Sequence, residues 1–180
     1  MHGFMLAELK KYVDTRVGGE AWKGLLKDAG LGMKVYMPTQ TYPDTEVVAL
    51  VGAASKATGK PVATILEDFG AFIVPDLVAI YGAYIKPEWK ALDLLQNTEE
   101  TIHRVVRTRN PGAAPPELKV TRTNPDEVMI EYTSGRKLCA VARGIVKGVA
   151  AHYKETVAIA EPTCMLKGDS ACRLKVTLAR

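Results

Sequence analysis

Between Asn110 and Pro116 the chain reads Asn-Pro-Gly-Ala-Ala-Pro-Pro, and the apolar residues keep different periods on its two sides. Upstream, Phe4, Met5, Leu9, Val13 and Val17 recur about every four positions, as on one face of an amphipathic helix. Downstream, Leu118, Val120, Val128 and Ile130 alternate with polar residues around the turn Thr-Asn-Pro-Asp-Glu, which is the period of a β-hairpin. A chain that separates its helices from its strands in this way predicts an α+β fold with an antiparallel sheet to one side.

The same reading predicts helices over residues 19–29, 45–59, 61–72 and 89–96, with Pro75 restarting the chain before a largely apolar run, 76–85. Asn97, with Glu100 three residues on, has the pattern of a capping box and predicts a separate short helix that carries His103 in its second turn and closes at Asn110 and Pro111. A long helix over 136–153 and two strands, Glu-Thr-Val-Ala-Ile-Ala and Cys-Arg-Leu-Lys-Val-Thr-Leu, complete the second half around a turn near Gly168 and Asp169. One domain over 1–180 is expected, with an all-helical lobe over about 1–65 and a second, sheet-bearing lobe over about 66–180.

Composition narrows the function classes. With 47% hydrophobic residues the chain has enough apolar material for one core, but no run approaches the roughly 18 to 20 residues that cross a bilayer. No membrane association is expected, and a cytoplasmic location is. The net charge of +4 is spread along the sequence rather than gathered into a basic stripe with aromatics, which argues against a nucleic-acid partner. Neither Gly-x-Ser-x-Gly, His-Glu-x-x-His nor a phosphate-binding glycine loop is present, so no enzyme is expected. An odd number of cysteines, three, points to metal or thiol chemistry rather than to a disulfide framework.

Of three histidines, His2 lies near a terminus and His152 near a helix end, which leaves His103 as the candidate ligand. Pro115 and Pro116 follow it by twelve and thirteen residues, and Tyr132-Thr133-Ser134-Gly135-Arg136 closes the first hairpin. In these features the sequence resembles the H-NOX family of haem nitric oxide and oxygen binding domains, of the bacterial stand-alone type. The family's marker Y-x-S-x-R stands here as Tyr-Thr-Ser-Gly-Arg. The opening Met-His-Gly, the Tyr-Pro-Asp at 42–44 and the Lys-Gly at 147–148 fit as well, so the likeness spans almost the whole chain.

The resemblance implies haem b between the lobes, with His103 as proximal iron ligand, Tyr132, Ser134 and Arg136 gripping the propionates, and Pro116 pressing on the porphyrin. Arginine's planar fork suits a carboxylate, and the two hydroxyls add directional hydrogen bonds. The family position for a distal tyrosine that steadies bound oxygen falls on Val141, and Met5 and Ile145 are further expected lining residues. An apolar distal pocket implies nitric oxide sensing, with carbon monoxide also bound and no stable oxygen complex. The family switch is a weakening of the iron–His103 bond by nitric oxide. Its partner is a separate effector such as a histidine kinase or a diguanylate cyclase, none being expected within these residues.

A zinc-containing subset of the family uses three cysteines and a histidine, which places Cys139, Cys164 and Cys172 in a zinc site with Glu161 where the histidine stands. Two alternatives stay open for the cysteines: buried thiols without a metal, or a zinc and thiol redox sensor in which haem is secondary.

Overall fold

The computed structural model describes residues 1–179. Helices α1 (Gly3–Arg16), α2 (Ala21–Asp28), α3 (Asp44–Thr58) and α4 (Val62–Phe72) pack their apolar faces into a first core around Leu6, Leu9, Trp22, Leu50, Phe69 and Ile73. Helix α5 (Val74–Tyr81) carries Pro75 in its first turn, where the missing amide proton costs no helical bond, and one 3₁₀ turn (Gly82–Tyr84) follows it. The helical first half and the four-stranded antiparallel sheet of the second half are the α+β plan that the change of periodicity predicts.

Helix α6 (Ala91–Asn97) does not end where the capping pattern places a new start. Thr98 has helical dihedrals, φ −56° and ψ −42°, and the chain continues through a π-helical segment (Glu99–His103) into α7 (Arg104–Arg109). Asn97 is therefore no N-cap: its side-chain amide donates back to the Asp93 carbonyl at 2.8 Å. Burial of Leu92, Leu94 and Leu95 against the sheet holds this helix, and tertiary packing outweighs the local signal. The real start is at Lys90, whose amide donates to the Asp93 carboxylate at 3.0 Å, beside Ala91 N–H donating to Glu155 Oε2 at 3.0 Å.

Strands β1 (Glu117–Asn124), β2 (Glu127–Thr133), β3 (Val157–Thr163) and β4 (Cys172–Leu178) form one sheet in the order β1-β2-β4-β3. The β2–β4 register pairs Val128 with Val176, Ile130 with Leu174 and Tyr132 with Cys172, and all six side chains are buried on one face. A slip of one residue would turn that row to solvent, so burial fixes the register. It also sets the first residue of the Tyr-Thr-Ser-Gly-Arg motif beside a cysteine.

Helix α8 (Cys139–His152) joins the halves. It begins three residues after Arg136 rather than at it, and Lys137 in the gap takes a left-handed φ of 52°. Gly144 faces α4 so closely that a β-carbon there would lie 2.0 Å from the Glu67 carbonyl oxygen, and one on Gly70 of α4 would lie 2.3 Å from that of Val141. The two backbones touch, which only glycine allows. The expected lobe boundary near residue 65 falls inside α4.

Candidate functional site

His103 ends the π segment, where its own amide and that of Ile102 both donate to the Thr98 carbonyl, at 3.0 and 2.9 Å. A π turn sets its last residue off the face an α-helix would give it, and such segments are frequent at functional sites. The imidazole is mostly buried, with Nδ1 2.8 Å from Glu99 Oε2 and the Pro116 carbonyl as a second polar neighbour. Burial lowers its pKa, and Glu99 only partly opposes this, so the ring is neutral near pH 7, the form in which imidazole binds metals.

Met5, Val141 and Ile145 come together in the helical core, and Ile145 also reaches the second core, where it joins Ile102, Leu118 and the sheet residues. Two tyrosine hydroxyls of the same core are committed elsewhere: Tyr12 donates to Asp68 at 2.8 Å and Tyr36 to Glu46 at 2.7 Å.

Tyr132 is buried, which raises its pKa, and its hydroxyl meets the Ser134 side chain and the Leu138 backbone. Arg136 reaches across to the other half of the chain: Nε donates to Asp44 Oδ1 at 2.9 Å and Nη1 to the Ala114 carbonyl at 2.5 Å. Asp44 also takes the N-terminal ammonium at 2.5 Å. Burial alone would raise the Asp44 pKa, but the ammonium and Arg136 hold it below the ordinary value. Sequence reasoning placed Arg136 but missed its partner, although Asp44 belongs to the Tyr-Pro-Asp segment already singled out.

Cys139 from α8, Cys164 after β3 and Cys172 from β4 converge with Glu161, their ligand atoms all within 4.8 Å of one another. The sulfur atoms of Cys139 and Cys164 are 3.7 Å apart, and those of Cys164 and Cys172 are 3.9 Å apart. A tetrahedron with zinc–sulfur bonds of about 2.3 Å has edges of about 3.8 Å, so the thiols already stand at the spacing of a structural zinc centre. Glu161 Oε2 accepts from Arg143 at 2.8 Å, while its Oε1 is buried with no hydrogen-bond partner. A buried carboxylate oxygen without a donor is costly, and a cation beside it removes the cost. Burial and Cys164 push the Cys139 thiol up to about 12, and burial raises Cys172.

A buried neutral histidine, the apolar side chains Met5, Val141 and Ile145, and the polar group of Tyr132, Ser134 and Arg136 have the chemistry that a haem takes: imidazole suits the iron, hydrocarbon suits the porphyrin face and Arg136 suits a propionate. Contributed by the two halves of one chain, they are the residue set of a haem-based gas-sensor domain. The model of the Haem-NO-binding family matches residues 2–161, and the chain belongs to that family. Its members are haem-binding sensor domains rather than enzymes, and they take diatomic gases such as nitric oxide and carbon monoxide.

The fold agrees. An H-NOX protein from S. oneidensis in the Fe(II)NO state matches at TM-score 0.93 and 23% identity, covering 100% of both chains. The unliganded Fe(II) H-NOX protein from K. algicida matches at 0.88 and 18%, covering 100% of this chain and 97% of that one. A soluble guanylate cyclase, 89Db, of Drosophila melanogaster is 25% identical over 138 residues, which are 76% of this chain and 20% of the relative. The chain thus spans about one fifth of that relative's length. Among the described residues, no helix is long and apolar enough to cross a membrane.

Proposed function

We propose that this domain senses nitric oxide at ferrous haem held by His103 and passes the signal to a separate effector protein. The observation that carries the choice of gas is the wall of Met5, Val141 and Ile145, which offers bound oxygen no side-chain donor, while the Tyr12 and Tyr36 hydroxyls of the same core are committed to Asp68 and Glu46. Bound oxygen carries partial negative charge and needs such a donor, whereas nitric oxide and carbon monoxide do not. Haem, when bound, would supply an iron that takes up a diatomic gas. His103 would hold the iron, with the Pro116 backbone carbonyl beside its imidazole, and Tyr132, Ser134 and Arg136 would hold the charged edge of the cofactor. Arg136 pairs with Asp44 across the two halves, so whatever moves Arg136 bears on the angle between them.

Zinc completes the reading at the second cluster, held by Cys139, Cys164, Cys172 and Glu161, with Arg143 on the outer oxygen of the carboxylate. The sulfur spacings and the unpartnered Glu161 Oε1 support the metal over free thiols. They give no support to a redox sensor in which haem is secondary. The effector belongs to a class that a small domain can dock on, such as a histidine kinase or a nucleotide cyclase. The guanylate cyclase relative, in which a segment of this length is a fifth of the protein, supports that division of labour.

The deciding experiment is the absorption spectrum of the ferrous protein without gas, in air and with nitric oxide. A Soret band that ignores oxygen and shifts with nitric oxide is expected, and a band that moves in air to a stable oxygen complex would overturn the choice of gas. In His103→Gly the native ligation is lost and returns with added imidazole; an unchanged spectrum would remove His103 from the site.

A further inference from the structure

We infer that Glu99 is a positioning residue for His103, a carboxylate that fixes which imidazole nitrogen faces the iron and strengthens its donation, and so makes the proximal bond resist release. The inference rests on the haem reading above and goes beyond it, since neither the sequence motif nor the family match singles out Glu99.

Three polar groups meet at the Glu99 carboxylate. Oε2 lies 2.8 Å from His103 Nδ1 and accepts the Leu118 backbone amide at 3.1 Å, and Oε1 accepts from Arg107 Nη2 at 2.5 Å. The side chain is 21% exposed, so solvent does little to screen it. Glu99 thereby ties the π segment to the first residues of β1. A guanidinium on one oxygen and a backbone amide on the other are the surroundings of a carboxylate anion.

An imidazole that binds a metal must be neutral, with one ring proton to give, and His103 has two acceptors beside it, the Glu99 carboxylate and the Pro116 carbonyl. The charged acceptor makes the stronger bond and takes the proton onto Nδ1, which leaves the Nε2 lone pair free. Donation of the far ring proton to a carboxylate raises the basicity of a metal-bound histidine and locks its orientation. Arg107 on the other oxygen draws part of the negative charge away, so the two residues act on the ring in opposite senses.

That opposition supplies the test. Resonance Raman spectra of the gas-free ferrous protein report the iron–histidine stretch directly. Glu99→Gln, which keeps an acceptor for Nδ1 and for Leu118 but loses the charge, is expected to lower its frequency. Glu99→Leu lowers it further, and Arg107→Leu raises it. After nitric oxide is added, His103 leaves the iron about 10-fold faster in Glu99→Leu, the lower end of effects from outer hydrogen-bond partners. A residue that merely anchors the helix to β1 would change the melting temperature in these variants without moving the band in opposite directions. Should Glu99→Leu not fold, Glu99→Gln and Arg107→Leu carry the comparison.

A second readout needs no haem. Nitrogen NMR of the apoprotein is expected to show His103 as the Nδ1–H tautomer, and Glu99→Leu to show a mixture. If the wild-type protein gives an iron–histidine band that none of the variants moves, Glu99 has no such role while the haem reading stands. If the wild type binds haem without a histidine band, the haem reading itself fails.

Discussion

Single side chains decide the chemistry at both centres. That Cys139, Cys164, Cys172 and Glu161 come together was legible only through the family resemblance, which has a histidine where Glu161 stands. Glu99 and Arg143 were not, since outer partners have no spacing of their own and become visible only once the fold closes. Glu161→Ala is expected to weaken zinc about 10-fold or more, read by a chromophoric chelator, and Glu161→His to tighten it. An unchanged affinity in the alanine variant would take Glu161 out of the ligand set. A third acid makes a pH prediction. Burial, and then the Asp76 carboxylate beside it, raise Glu8 to about 6 from 4.5. The raised pKa means that the contribution of Glu8 to stability is present below about pH 4.5 and lost as the pH rises through 6. Glu8→Gln, which keeps the neutral form at every pH, should gain melting temperature over the wild type between pH 5 and pH 7 (roughly the titration window) and gain nothing below it. An equal difference at all pH values would show that the acid is not titrating.

At the scale of elements, the sequence was most readable where burial and local pattern agree. The alternation of Val128 and Ile130 predicts β2, and the structure buries both. It was least readable at Asn97, where the capping pattern is present and a helix start is not. Three leucines packed against the sheet keep the chain helical through the point where local chemistry favours a break. The π segment that results has no sequence signature, although it is what orients His103. Packing between α4 and α8 makes a sharper prediction. Gly144→Ala forces a methyl group to within 2.0 Å of the Glu67 carbonyl unless the helices part, so it should lower stability by about 3 kcal/mol or more, read by denaturant unfolding. Gly52→Ala, where a β-carbon meets open space, is the control and should be neutral or slightly stabilising.

For the molecule as a whole, the α+β plan followed from the change of period at 110–116, because sheet and helix bury their faces by different rules. How the halves are tied together did not follow, since the Arg136–Asp44 pair joins residues 92 apart. The pair suggests a whole-molecule test. Arg136→Ala removes the cationic fork and should speed loss of haem to excess apo-globin about 10-fold, the loss of one charge-assisted hydrogen bond. Asp44→Ala leaves the fork in place and should have the smaller effect. If the two variants lose haem equally fast, Arg136 acts by bracing the halves rather than by holding a propionate.

Helix α8 touches three separate interiors: Val141 packs in the helical core, Val146 and Val149 in the sheet core, and Cys139 among the other thiols. A rigid rod shared by three environments cannot be tilted for one of them alone. Val141 of the gas wall and Cys139 of the thiol cluster stand two residues apart at the start of this rod, so a gas and a metal held there would be two ligands of a single lever, bound by thermodynamic reciprocity. Whatever factor zinc imposes on gas affinity, the gas imposes on zinc affinity. A cell poor in zinc would then possess a differently tuned detector without any change to its gene.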